Sequence, residues 1–192
     1  MPKVSRIIPI LENLLFVWLG LALVLSLAGE RLEIPALLQV LGRAHPLMLH
    51  FPIVLLLMAV GLLWVSDERI KKAGAQILLV GGNLTGITVL AGLILASEDY
   101  EGDALAWHQW LGVASLLLAV VIYFYREKST AFLRISTGTM AIAIILTGHF
   151  GANLTHGEDF LLAPIQSKEV ELVAFEDAEI FQHLVQPILE AK

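Results

Sequence analysis

The chain contains no cysteine. That excludes disulfides, thiolate metal sites, cysteine-ligated iron–sulfur clusters and covalent c-type haem attachment within these 192 residues, and leaves histidine and carboxylate as the metal-binding repertoire. Charge is also scarce: 16% of residues are Asp, Glu, Lys or Arg, against about 25% in an ordinary soluble domain. Twelve Lys and Arg stand against 18 Asp and Glu, for a net charge of -6, which argues against nucleic-acid binding because that needs a basic face. What is plentiful is hydrocarbon, with 57% hydrophobic residues and a mean hydropathy of +0.79. This is the composition of an all-α integral membrane protein.

Five apolar runs carry the membrane-crossing signal, since about 20 helical residues at 1.5 Å each span a bilayer core. The first, Ile7 to Ala28, follows a short basic start. It reads as a retained helix rather than a cleaved signal peptide: the run is long, Glu12 sits near its beginning, and Ser26-Leu27-Ala28 is a weak cleavage match. Residues 29–43 form a polar connector whose Ile34, Leu37, Leu38 and Leu41 are spaced to lie on the membrane surface. The second run is Pro46 to Val65. The third, about Ala73 to Ala96, carries Gly82, Gly86 and Gly92 along a small-residue face that admits a close neighbour. The fourth starts around Trp107 and ends near Tyr125; the fifth covers about Ala131 to Phe150. The expected architecture is five transmembrane helices, helices two to five forming an antiparallel four-helix bundle within residues 1–157. Residues 158–192 make an acidic extracytoplasmic tail.

Loop charges set the expected orientation. Lys3, Arg6, Arg69, Lys71, Lys72, Arg126, Lys128 and Arg134 fall on one side, and Arg31, Arg43, Lys168 and Lys192 on the other. The positive-inside rule places the N-terminus in the cytoplasm and the C-terminus outside. His45, His50, His108, His149 and His156 then converge on the outer leaflet, while His183 lies in the tail as a surface residue.

An ionisable side chain inside an apolar helix is costly unless it faces the bundle interior and has a partner. Antiparallel helices with inward histidines at matching depth suit haem b, whose iron takes two axial imidazoles. His50 and His108, on helices expected to be diagonal, form the first candidate pair, with Gly86, Gly92, Gly148 and Gly151 leaving room for the macrocycle. His45 precedes His50 by five residues, about 140° around an ideal helix, so it is expected to serve elsewhere. It could pair with His149 at a second haem, bond a propionate beside Arg43, or cap the interface. The alternative is a zinc or copper site drawn from His45, His149, His156 and an acidic residue such as Glu98 or Asp99, with His50 and His108 as further ligand candidates. A cofactor-free anchor, its histidines bonding loop carbonyls, is the third reading. A transporter would show a polar path to the midplane, and the inner halves of these helices are nearly free of ionisable groups.

Three segments, LGRAHPLMLHFPI, EDYEGDALAWHQWLG and GHFGANLTHGEDFL, resemble in this order the N-terminal membrane domain of planctomycete-type membrane-anchored cytochromes, over about Leu41 to Leu161. The final FQHLVQPILEAK is similar to the opening of the c-type cytochrome module that follows in such proteins. The resemblance implies membrane electron transfer to or from an external c-type cytochrome, within a membrane complex, with the five outer histidines as the shared polar positions. A quinone fits as the membrane-soluble redox partner, although no residues mark its pocket.

Overall fold

The computed structural model describes residues 4–28, 34–98, 101–157 and 160–165, and every regular element among them is an α-helix. These are α1 (Val4–Ala28), α2 (Ala36–Arg43), α3 (His45–Met48), α4 (His50–Trp64), α5 (Glu68–Leu95), α6 (Asp103–Tyr125) and α7 (Thr130–His156). Four of them, α1, α5, α6 and α7, are long and apolar enough to cross a membrane, and a fifth span results if the bent pair Ala36–Met48 and His50–Trp64 counts as one. The outer surface agrees with a hydrocarbon surrounding: Val24, Ile135 and Ile145 are 62%, 70% and 65% exposed, which would be costly in water. The chain divides into two compact units, Met1–Phe160 and Leu161–Lys192. The first contains all seven helices. Of the second, residues 161–165 are described and form turns, with the Ile165 N–H donating to the Leu162 carbonyl at 3.0 Å. His183, Arg31 and Asp99 lie outside the described residues.

Two helices start earlier or end later than hydropathy suggests, because side chains cap them. The Asp67 carboxylate accepts from the N–H groups of Arg69 (2.7 Å) and Ile70 (3.3 Å), so α5 begins inside the charged segment expected to be a loop. Ser129 caps α7 by accepting from the Phe132 N–H at 3.1 Å. At its other end α7 runs past Phe150 to His156 and stops at Gly157, whose φ of +91° suits only a residue without Cβ.

The Pro46–Val65 run is not one straight helix. It breaks at Leu49 with a 46° bend. Pro52 has no N–H for the Met48 carbonyl and its ring crowds that carbonyl, while the bonds from Leu49 to His45 (3.1 Å) and Ile53 to Leu49 (3.3 Å) persist on either side. The bend carries α2 and α3 across the end of α5. There Gly42 lies against Ile94 and Leu95, so the connector expected on the membrane surface is partly docked on a helix, although Leu37 stays 78% exposed.

Helix α5 packs along α4 and α6, α6 packs along α7, and α7 meets α4 over a shorter stretch. Away from the histidines this gap is closed. Leu63, Leu78, Ile122 and Met140 are buried there, and the Trp64 indole N–H donates to the Thr137 hydroxyl at 2.9 Å. The buried hydroxyls of Thr85 and Ser115 bond their own helix one turn back, at Gly81 (2.8 Å) and Leu111 (2.8 Å), and so carry no unsatisfied group into the apolar interior. Helix α1 lies against α5 and α6. Asn83 donates to the carbonyls of Leu11 (3.1 Å) and Leu79 (2.8 Å) and accepts from the Trp18 indole (3.1 Å), while the Tyr123 hydroxyl donates to Glu12 at 2.7 Å. Gly86, expected to make room for a macrocycle, serves this contact instead: a Cβ there would overlap the Trp18 side chain.

Candidate functional site

At the other end the same helices part around a cavity of about 680 Å³, lined by residues of α3, α4, α5, α6 and α7. Four of the five histidines expected to gather, His45, His50, His108 and His156, reach its wall. The fifth, His149, is half-buried, sits edge-on to Phe150 at 5.4 Å between ring centres, and is not among the lining residues.

The histidine whose ring meets that of His108 is His45. Their ring centres are 6.0 Å apart and their planes nearly perpendicular, at 88°. His50, expected to be the partner of His108, is exposed at the start of α4 and only borders the cavity. The reason is the break at Leu49. The expected angle of about 140° between His45 and His50 assumes one ideal helix, and the bend re-aims the four residues of α3, His45–Met48, before it.

Each ring is held the same way, by a backbone carbonyl of a long helix later in the chain. His45 Nδ1 lies 2.9 Å from the Thr88 carbonyl oxygen on α5, and His108 Nδ1 lies 2.8 Å from the Thr147 carbonyl oxygen on α7. A carbonyl only accepts, so both Nδ1 atoms carry a proton, and in the neutral imidazole Nε2 is then the atom that keeps a lone pair. No hydrogen bond joins the two rings among the described residues. Glycine allows the fit. Extra Cβ atoms at Gly92 and Gly151 would fall 2.9 Å from Cε1 of His45 and 3.0 Å from Cε1 of His108, whereas one at Gly148, on the cavity wall, would meet nothing within 4 Å.

The other expected ligands are placed differently. Arg43 is 68% exposed in its side chain and pairs with Glu98 at 2.9 Å, away from the cavity lining. His156 stacks on Phe160 with 4.2 Å between ring centres. Among the described residues no group of three or more His, Cys, Asp or Glu comes together as a metal cage. A haem needs only two axial imidazoles. An imidazole nitrogen sits roughly 2.0–2.1 Å from a first-row metal ion, so two rings ligating one ion from opposite sides have centres about 6.2–6.5 Å apart. The spacing of His45 and His108 is within about half an ångström of that.

Thr88 and Thr147 were not singled out from the sequence. The signal was there: each stands four residues before a glycine, near the end of a helix that follows a histidine-bearing one. No family model matches this chain, and neither the curated proteins nor the solved structures contain a significant match.

Proposed function

We propose that this protein is a membrane electron-transfer subunit that holds one haem b between His45 and His108. The observation that supports it best is a pair of imidazoles on the wall of one cavity, their ring centres 6.0 Å apart, each with Nδ1 anchored on a backbone carbonyl. A lone pair left unpaired in an apolar interior costs free energy, and ligation supplies its partner. Bound there, the haem would supply reversible one-electron exchange at its iron.

The residues of the chain do the rest. Thr88 and Thr147 orient the rings and raise their basicity through Nδ1. Gly148 and the apolar wall from Leu49, Ile53, Val89 and Ile144 leave a dry space for the macrocycle. His50 and His156, at the cavity border, are placed to meet its polar edge.

In this reading the chain makes five crossings, α2 to α4 serving as the second, and spans two to five form an antiparallel four-helix bundle in a bacterial inner membrane. The N-terminus is cytoplasmic and the histidine end periplasmic. The natural exchange partner is then a c-type cytochrome on the outer side, with a quinone as the membrane-soluble partner, in a complex of the kind the planctomycete-type resemblance implies.

An absorption spectrum of the purified protein tests the central claim. A Soret band with a split α/β region on reduction, lost in H45A and in H108A and kept in H50A, H149A and H183A, is the expected result. Full occupancy by zinc or copper with no Soret band would overturn it, and so would a preparation with no cofactor, which would favour an anchor. Reporter fusions after Lys192 and within Glu68 to Lys71 test sidedness, with periplasmic activity expected only for the first.

A further inference from the structure

We propose that Gly92 and Gly151 are positioning residues, two copies of one device that holds an imidazole by Nδ1 and presents Nε2 to the cavity before anything binds there. Each copy consists of a histidine, a threonine carbonyl and a glycine one helical turn beyond that threonine. The first is His45 with Thr88 and Gly92; the second is His108 with Thr147 and Gly151.

A four-residue step puts the carbonyl and the bare Cα on one face of the helix. The ring therefore lies flat on backbone while its Nδ1 reaches the carbonyl. A Cβ at Gly92 would stand 2.9 Å from Cε1 and 3.0 Å from Nδ1 of His45, and one at Gly151 would stand 3.0 Å and 3.1 Å from the same atoms of His108. At these distances the ring of His45 would have to shift and that of His108 to give by a few tenths of an ångström, which pulls at hydrogen bonds of 2.9 and 2.8 Å.

Small size by itself does not account for this. Gly138 and Gly148 on α7 face open space, so only the glycine one turn past Thr147 touches the ring. The device also recurs at nearly the same chain interval, 43 residues from histidine to carbonyl in the first copy and 39 in the second. Each helical hairpin thus contributes one oriented ring, and the two meet as equals. Resting on the haem reading of the site, the electronic consequence is that both carbonyls make their imidazoles stronger donors and favour the oxidised ion.

The test uses the full chain labelled with 15N-histidine in detergent. Wild type should show two protected, hydrogen-bonded Nδ1–H signals, assigned by their loss in H45A and H108A. G92A should remove the signal of His45 alone, G151A that of His108 alone, and G138A neither. The reduction potential should rise in G92A and in G151A and stay put in G138A. If G92A folds poorly, G92A/H45A should recover folded yield, because the clash is with that ring. Nδ1–H signals unchanged in both glycine variants, or a folding loss that the double variant does not relieve, would overturn the proposal. A wild type without a Soret band but with the expected ring signals would remove the haem reading and leave the positioning device standing.

Discussion

The two ends of the helices α4 to α7 are built from the same four elements and solve opposite problems. At the Trp64 end, leucine, isoleucine and methionine fill the space between helices and an indole-to-hydroxyl bond joins α4 to α7. At the histidine end the helices part, and polar ring atoms are set precisely where packing atoms would otherwise be expected; the cavity of about 680 Å³ stays walled but unfilled by side chains. Close packing and open space are thereby separated along the length of the same four helices. Damage to one end should leave the other largely intact.

The largest expected effect is loss of function with little loss of fold. H108A should abolish haem absorption outright while detergent unfolding shifts only modestly, because the ring borders a space rather than plugging a core; a collapse of stability equal to that of a core variant would erase the distinction between the ends. Next comes the converse. Met140 is fully buried at the packed end, so M140A should cost about 2–5 kcal/mol in reversible unfolding with an unchanged spectrum per folded molecule. Smaller again is N83L, which removes the ties to Leu11, Leu79 and Trp18 and should cost about 1–2 kcal/mol, as interhelical hydrogen bonds in membranes do. The smallest is R43Q. Its exposed pair with Glu98 should be worth less than about 1 kcal/mol and leave the absorption unchanged, so a large spectral shift would give Arg43 a role at the site that its position does not indicate.

Much of the fold was legible in the sequence because apolar runs near 20 residues admit few alternatives in a lipid-soluble chain. The caps moved the ends, since Asp67 and Ser129 gain more from bonding free N–H groups than hydropathy can register. The gathering of histidines at one end was legible from loop spacing. Which of them would meet was not, because that depends on rotation about the helix axis, and Pro52 resets the rotation between His45 and His50. Gly86 and Gly92 show how rotation decides: six residues apart, they point about 120° away from each other around α5, so one receives Trp18 and the other the ring of His45.

The junction at Asn83 has a consequence for how the chain enters a membrane. An amide side chain in the middle of α5 has one donor bond within its own helix, to Leu79, and needs the backbone and indole of α1 for the rest. Because α1 precedes α5 in the chain, the groups that satisfy Asn83 are synthesised before it, and a chain without α1 would leave that amide with its bond to Leu79 alone.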